Sequence, residues 1–153
     1  MNSKQLEMLI KQQVPMIGYA GAEITELNNA RCVVKIPFKA ENKNHLNSMY
    51  FGSLAVGADA AGGLLAFHKV MHTGKNISLV FKDFHADFLR RPEQDVFFTC
   101  EDGLIVDHLI METIKTGERV SKPVTIIATT THEGKTEEVA KFVLTLSLKC
   151  SNK

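Results

Sequence analysis

The segment from Gly52 to His68 constrains the fold more than any other part of the sequence. It reads GSLAVGADAAGGLLAFH, nine of its residues are Gly or Ala, and Asp59 is its one formally charged residue. Its length and its alanine and leucine content predict a helix, and its apolar character on all sides predicts that this helix is buried. Each internal glycine costs about 1 kcal/mol of helix stability relative to alanine. We therefore expect Gly57, Gly62 and Gly63 to pack closely against sheet backbone or against a symmetry-related copy.

Strand patterns surround this helix on both sides. Two β-type runs precede it, over residues 19–27 and 31–38, and a helix pattern over residues 3–13 comes before them. The later runs predict strands over 77–89, 95–101, 124–131 and 139–149, with a helix over 104–115. Strands outnumber helices and do not alternate with them, which predicts an α+β fold with an antiparallel sheet.

The run over residues 77–89 changes phase halfway along. Its apolar side chains stand at odd-numbered positions up to Phe81 and at even-numbered positions from Phe84 onward. Successive side chains of a strand point to opposite faces, so such a switch moves the apolar face unless an extra residue is inserted. The pattern therefore predicts a β-bulge or a sharp bend in this strand.

Composition and charge limit the classes of function. The 153 residues predict a single domain, residues 1–153, and hydrophobic residues at 44% with charged ones at 23% are typical of a globular protein. The formal net charge of +1 provides no whole-protein field that attracts nucleic acid or an anionic membrane, so we expect neither as a partner. Lys69 and Lys82 interrupt the most apolar stretch, so no run reaches transmembrane length. The polar N-terminus carries no secretory signal pattern.

Cysteine and histidine spacing predicts neither a disulfide framework nor a metal site. Cys32, Cys100 and Cys150 are an odd number of cysteines at wide spacing, which favours a reducing cytoplasm. His68 and His72 lie four residues apart and could share a helix face, but no HExxH motif or matching acidic ligand accompanies them. Glycine patterns for binding nucleotide phosphates are missing too, so we expect no metal and no cofactor.

The residues at the start of the predicted helix resemble a known motif. Residues 44–59, NHLNSMYFGSLAVGAD, resemble the phenylacetate-pathway type of hotdog thioesterase, in which Asn, a short loop and His-Gly-Gly precede a helix that bears an acidic residue. In this chain Asn44 matches the Asn, Gly52 the second glycine and Asp59 the acid, while Tyr50 and Phe51 stand where His and Gly are usual. The combination of Tyr-Phe-Gly with an alanine-rich helix is closer to an uncharacterised, thioesterase-like branch.

The resemblance implies a fold and an activity. It covers about residues 16–149, the expected domain core, and FLRRP at 88–92 is similar to the end of the family's second strand. It implies a hotdog fold, in which a curved antiparallel sheet wraps a long buried central helix. It also implies an acyl-CoA thioesterase that acts on a small or medium acyl group, in a homodimer or homotetramer.

Asp59 is the main candidate for a catalytic residue. A carboxylate on an apolar helix is desolvated, which raises its pKa unless hydrogen-bond donors stabilise the charged form. Such a carboxylate could deprotonate an attacking water or attack the thioester carbonyl itself, and the sequence does not separate these routes. The alternative is a structural aspartate held by hydrogen bonds from backbone or from an asparagine.

The start of the helix offers a second catalytic element. Backbone N–H groups around Phe51, Gly52 and Ser53 point along the positive end of the helix dipole and could hold the oxyanion of a tetrahedral intermediate. The alternative is an ordinary helix start. By the resemblance, Asn44 would orient Asp59 or the substrate carbonyl, or it would only satisfy its own loop. Tyr50 would donate its hydroxyl to the thioester or close the wall of the pocket.

Arg90 and Arg91 are candidates for binding coenzyme A. Their guanidinium groups could bind the phosphates of a nucleotide-bearing thioester, although paired arginines at the end of a strand are more often simply solvated.

Two further functions compete with hydrolysis. A protein of this fold could bind an acyl group or coenzyme A without catalysis, and a panel of acyl-CoA esters with detection of free thiol separates the two. A hydratase or dehydratase is disfavoured because the helix carries no histidine between residues 52 and 67. The open sheet leaves edge strands and one face uncovered, so we expect a dimer at least.

Overall fold

The computed structural model describes residues 1–151, so the last two residues of the predicted domain lie outside the described part. Four α-helices, six β-strands and a short 3-10 turn at Ala40–Asn42 follow one another in this range. The helices are α1 Ser3–Gln13, α2 Pro15–Ala20, α3 Phe51–Thr73 and α4 Gly103–Thr116. The strands are β1 Glu23–Leu27, β2 Cys32–Ile36, β3 Asn76–Phe88, β4 Val96–Cys100, β5 Arg119–His132 and β6 Lys135–Ser151.

The six strands form one antiparallel sheet in the order β1-β2-β4-β5-β6-β3. The long hairpin β5–β6 lies next to β3, whereas β1 and β3 are the edge strands. The predicted α+β architecture with an antiparallel sheet is confirmed. An edge strand presents unpaired backbone groups along one side, and β3 is long and carries exposed apolar residues, Val80 at 49% exposure and Phe88 at 48% among them.

Helix α3 packs against one face of the sheet, and the core lies between them. Leu65 of the helix and Phe98, Ile126 and Phe142 of the sheet are fully buried there. The helix is long and apolar enough to cross a membrane, which corrects the expectation that no apolar run reaches transmembrane length, but most of it is buried inside the protein. It therefore serves as the core helix of this fold.

The glycines of α3 bring the helix close to aromatic and aliphatic side chains of the sheet. A Cβ atom on Gly57 would overlap the ring of Phe98, and a Cβ atom on Gly62 would lie 3.3 Å from both Ile126 and Phe81. Gly63 has open space around it by comparison. Close packing of the first two glycines agrees with the sequence prediction, but their neighbours are side chains and not sheet backbone.

Strand β3 contains the predicted bulge. Its pairing with β6 shifts register between Phe81 and Phe84. After the shift Phe84 lies with its ring edge toward Phe142 of β6, with ring centroids 5.6 Å apart. The bulge thus returns an aromatic side chain to the core face.

The structure corrects the first predicted strand. Residues 19 and 20 belong to α2. This helix begins at Pro15 and is terminated by Gly21, whose φ of 76° is left-handed. β1 begins only at Glu23. The proline has no N–H to lose at a helix start, and glycine adopts positive φ without strain, so the two residues together delimit a helix of six residues.

Helix α4 closes one end of the core and is joined to α3 by an ion pair. Lys69 of α3 is buried, and its Nζ lies 2.8 Å from Oδ1 of Asp107 on α4. At the other end of α4, the buried hydroxyl of Thr113 donates to the Glu118 carbonyl and accepts from the backbone N–H of Cys150. These bonds attach α4 to both α3 and β6.

Candidate active site

The loop that leads into α3 is organised by a buried asparagine, Asn42. Its side-chain amide donates to the carbonyl oxygens of Ala20 and Pro37, and its Oδ1 accepts from the hydroxyl of Ser53 at 2.9 Å. Its backbone carbonyl accepts from the N–H of Tyr50. Asn42 thereby holds the start of the helix against α2 and β2.

The first turn of α3 is open to solvent on one side. Tyr50 is the residue before the helix, and no side chain caps the first turn among the described residues. Phe51 is 61% exposed, and the Tyr50 ring folds over Gly52, where an added Cβ would overlap it. Free N–H groups at a helix start, together with the helix dipole, favour a negative charge at this place. Ser53 is buried, its hydroxyl donates to Asn42, and its N–H donates to the Tyr50 carbonyl at 2.9 Å, so of the predicted group Ser53 has no N–H to offer an oxyanion.

Asn44 stabilises its own loop. Its Oδ1 accepts hydrogen bonds from the backbone N–H groups of Leu46 and Ser48 and from the Ser48 hydroxyl, at 2.9 to 3.1 Å. These contacts are those of an asparagine that satisfies the polar groups of its own loop. Within the described residues, the Asn44 side chain forms no hydrogen bond with Asp59 that would orient the carboxylate.

Asp59 lies on the surface of the protomer, which corrects the expectation that it is buried. Desolvation nevertheless raises the pKa of its carboxyl above the ordinary value, and no hydrogen bond or ion pair offsets this among the described residues. A carboxylate at the rim of a concave apolar site can be exposed to solvent and still be partly desolvated. Solvent reaches its oxygens, while the neighbouring protein displaces part of its hydration shell.

An apolar cavity of about 580 Å³ adjoins Asp59. It lies between the middle of α3, the first half of β3 and the two N-terminal helices. Its walls include Leu64 and Phe67 of α3, Ile77 of β3 and Ile17 of α2. A volume of this size is typical of sites that bind small organic molecules.

The two catalytic candidates are separated along α3. Phe51 begins the helix and Asp59 follows eight residues later. At 1.5 Å per residue this corresponds to about 12 Å along the axis, which exceeds the reach of a single carbonyl group. The helix start and the carboxylate of one protomer are therefore about two turns of α3 apart.

Arg90 and Arg91 line a second, smaller cavity of about 330 Å³ just beyond the end of β3. Both are exposed, and Arg90 Nε lies 4.0 Å from Glu137 Oε2. The backbone N–H of Met49 donates to the Pro92 carbonyl at 2.7 Å. This bond places the arginine loop beside the loop that leads into α3.

The cysteines and histidines have structural environments. Burial raises the pKa of Cys32 and Cys100 to about 12, so these thiols stay protonated at neutral pH and are poor nucleophiles. Within residues 1–151 no three His, Cys, Asp or Glu side chains are arranged to hold a metal ion. The rings of His68 and His72 meet edge to face, and His72 Nδ1 lies 2.7 Å from the His68 carbonyl oxygen.

Sequence reasoning missed Asn42 and the N-terminal wall of the cavity. Asn42 is one of several asparagines in a polar loop, and no local pattern separates it from Asn44. The wall could have been found, because Ile10, Val14 and Ile17 recur at helical spacing across Pro15. That spacing is typical of an apolar face that packs on something.

Comparisons with known proteins agree with this architecture. A family model described as a domain of unknown function, DUF4442, matches residues 2–147. No curated protein matches the sequence. A Pseudomonas aeruginosa protein of unknown function, described as a probable thioesterase, is 21% identical with a TM-score of 0.82, and the match covers 99% of this chain and 97% of that one.

Two other solved structures are similar over most of their length. A thioesterase family protein from Silicibacter pomeroyi is 18% identical with a TM-score of 0.72, covering 98% of this chain and 100% of that one. A thioesterase from Haemophilus influenzae is 15% identical with a TM-score of 0.71, covering 100% and 94%. At these identities the likeness establishes the fold. The chain has the hotdog fold, which is the fold that the resemblance of its helix-start motif implied.

Proposed function

The chain belongs to the DUF4442 family, and from its hotdog fold, its likeness to structures described as thioesterases and the carboxylate on α3 we propose that it hydrolyses the thioester of small or medium acyl-CoA molecules. The observation that carries the proposal is the position of Asp59. Among the described residues, it is the one carboxylate that lines the apolar cavity, and desolvation raises its pKa. Groups with perturbed pKa values beside a pocket are frequent in active sites. A cytoplasmic location is part of the same proposal.

Asp59 acts on the thioester by one of two routes. In the first, its carboxylate takes a proton from water, the hydroxide attacks the carbonyl carbon, and the C–S bond breaks as the thiolate accepts that proton. In the second, the carboxylate attacks the carbonyl and expels the thiolate, and water then hydrolyses the mixed anhydride. Both routes yield a free thiol and a carboxylic acid, and both build negative charge on the carbonyl oxygen.

The N–H groups of Phe51 and Gly52 stabilise that oxygen in the proposed mechanism. They lie at the uncapped start of α3, where backbone donors and the helix dipole favour an anion. Because about 12 Å separate them from Asp59 of the same chain, we place them in the site of a second protomer. The exposed apolar edge strand β3 supports a homodimer, since pairing along it would cover both the edge and the cavity rim. A tetramer of two such dimers is compatible with the same contact.

The remaining candidates surround the thioester and the nucleotide in this proposal. Tyr50 and Ser53 flank the helix start, Tyr50 as an outer wall and Ser53 as the group that fixes the turn through Asn42. Arg90 and Arg91 bind phosphates of coenzyme A. Their loop lies beside the helix-start loop, so the nucleotide would extend outward over it. The guanidinium group of arginine can bind phosphate oxygens through two parallel hydrogen bonds.

Binding of an acyl group or of coenzyme A without hydrolysis is the second candidate. One observation favours it: within the described residues no side chain orients the Asp59 carboxylate, and Asn44 is engaged in its own loop. Tyr50 and Phe51 also replace the usual His and Gly. Absence of free thiol with every acyl-CoA offered, together with measurable binding, would establish this alternative.

The central experiment compares wild type with Asp59→Asn. We expect kcat to fall by about 10² to 10⁴, the usual worth of a general base, while binding of acyl-CoA and the melting temperature are retained. Asp87→Asn is the matched control, since this exposed aspartate of β3 does not line the cavity and forms an ion pair with His85. Full activity of Asp59→Asn with an unchanged melt would remove Asp59 from the mechanism.

A mixing experiment tests whether two protomers share a site. Phe51→Pro removes one N–H of the helix start without breaking the helix, because proline is favoured at the first helical position. Phe51→Leu keeps that N–H and controls for loss of the ring. If Asp59 and the helix start come from different chains, mixing inactive Asp59→Asn with Phe51→Pro restores up to about a quarter of wild-type activity, because random exchange leaves one intact site in each mixed dimer. No recovery after verified subunit exchange, or a monomer by light scattering, contradicts the shared site.

A further inference from the structure

The N-terminal helices form one wall of the cavity beside Asp59. Ile10 of α1, Ile17 of α2 and Val14 between them face α3 and β3 across it. Ile17 is buried and Val14 is partly exposed, so the wall runs from the interior to the rim. Asp59 is exposed and stands at the rim. The cavity therefore has a polar, solvent-accessible rim at Asp59 and apolar walls formed by buried residues such as Ile17.

Gly63 creates much of the space inside this cavity. Asp59, Gly63 and Phe67 follow one another at intervals of four residues and so lie along one face of α3. A Cβ atom added to Gly63 would meet only the Phe81 ring, at 3.7 Å, which is an ordinary van der Waals contact. A methyl group at this position would therefore fit beside the cavity without displacing the Phe81 ring.

The residues that line the cavity favour an apolar ligand. Apart from Asp59 and Gln13, every lining residue is apolar, and Gln13 is exposed at the end of α1. Deep in the cavity, Ile17, Leu64 and Ile77 offer no side-chain donor or acceptor to a polar substituent. A buried polar group without a partner is costly, so hydroxylated or charged acyl groups would be rejected.

We propose that this cavity binds the saturated aliphatic acyl chain of the substrate, with the thioester carbon at Asp59 and with Gly63 and Val14 bounding the path of the chain from opposite walls. The inference rests on the proposed thioesterase function and specifies its substrate class. The chain extends from the rim past Gly63 toward Ile77. Each methylene that becomes buried in the cavity adds about fourfold to affinity.

Filling the cavity at Gly63 tests the assignment. The ratio of kcat/KM for dodecanoyl-CoA to that for butanoyl-CoA is measured in wild type, Gly63→Leu and Gly63→Ala. Leucine adds four carbon atoms and excludes about as many methylenes, so we expect the ratio to fall on the order of 100-fold, with a smaller fall for alanine. His72→Leu places the same side chain on an exposed part of α3 outside the cavity, and its ratio should equal that of wild type.

A second variant reaches the cavity from the opposite wall. Val14→Phe adds volume at a partly exposed position between α1 and α2, where the fold tolerates a larger residue more readily than within α3. It should lower the same ratio. If both variants are folded by circular dichroism and neither changes the ratio, the acyl chain binds elsewhere and the inference is wrong, even though hydrolysis continues.

Direct binding of decanoic acid by calorimetry separates this inference from the proposed activity. If wild type hydrolyses no ester but binds decanoate, and Gly63→Leu loses that binding, the assignment of the cavity is supported and hydrolysis is refuted. If wild type binds no decanoate and prefers aromatic or hydroxylated esters over aliphatic ones, the aliphatic assignment is overturned.

Discussion

The contact between Gly57 and Phe98 predicts a large stability difference between two identical substitutions in α3. A Cβ on Gly57 would overlap the Phe98 ring, which is fully buried and cannot move outward without disturbing β4. A Cβ on Gly63 meets no such obstacle. Gly57→Ala and Gly63→Ala are therefore matched in chemistry and in helix and differ only in what the new methyl group meets.

The magnitude follows from two opposing terms. Replacing glycine by alanine within a helix adds about 1 kcal/mol of stability in both variants. Overpacking at Gly57 subtracts about 1–3 kcal/mol, so that variant is expected between neutral and about 2 kcal/mol less stable than wild type. Gly63→Ala should be about 1 kcal/mol more stable. For a chain of this size, 1 kcal/mol corresponds to roughly 2–4 °C in Tm.

Thermal unfolding by circular dichroism at one fixed protein concentration measures the difference, because association would make Tm depend on concentration. We expect the two Tm values to lie on opposite sides of wild type or, at the least, several degrees apart. Equal shifts in the same direction would show that α3 does not rest on Phe98 as described. Since Gly57 lies two residues before Asp59, such a result would also question the placement of the carboxylate.

Three further predictions concern charge and buried polar groups. Because desolvation raises the pKa of Asp59, kcat/KM should decline as pH falls through a value above the ordinary 3.8 for aspartate, and this acid limb should reflect the carboxylate's loss of charge. Asn42→Ala should lower the free energy of unfolding in urea by about 3 kcal/mol, because it leaves the Ala20 and Pro37 carbonyls and the Ser53 hydroxyl without their hydrogen-bond partner. Ser53→Ala should lower it by about 1 kcal/mol, because only the Asn42 side-chain oxygen loses a partner. Asp107→Asn should cost about 2–3 kcal/mol by leaving the buried Lys69 ammonium unpaired, whereas Lys69→Met should be nearly neutral in the same assay.

Much of the fold could be predicted because the signals were periodic and long. The apolar run in α3 and the change of phase between Phe81 and Phe84 each follow from side-chain direction alone. Helix α2 was missed because six residues are too few to establish a helical period. Its boundaries depend on Pro15 and Gly21, whose meaning becomes clear only when both are considered together.

The site was less predictable because it depends on contacts between distant segments. The exposure of Asp59 depends on where α3 meets the edge of the sheet, which its own sequence does not reveal. Asn42 gains its importance from Ala20, Pro37 and Ser53, which lie 5 to 22 residues away along the chain.

The attachment of the N-terminal helices has a consequence for the dynamics of the chain. Among the described residues, α1 is joined to the sheet by the side chain of Glu7, which accepts from the backbone N–H of Ile24 at 2.9 Å, and α2 is joined to its neighbours through Asn42 and Ala20. The strands β5 and β6, in contrast, pair over their whole length. Segments with few anchoring bonds open at a lower free energy than the global unfolding transition. Amide protons of α1 and α2 should thus exchange with deuterium well before those of β5 and β6, and ligand in the adjoining cavity should slow that exchange selectively.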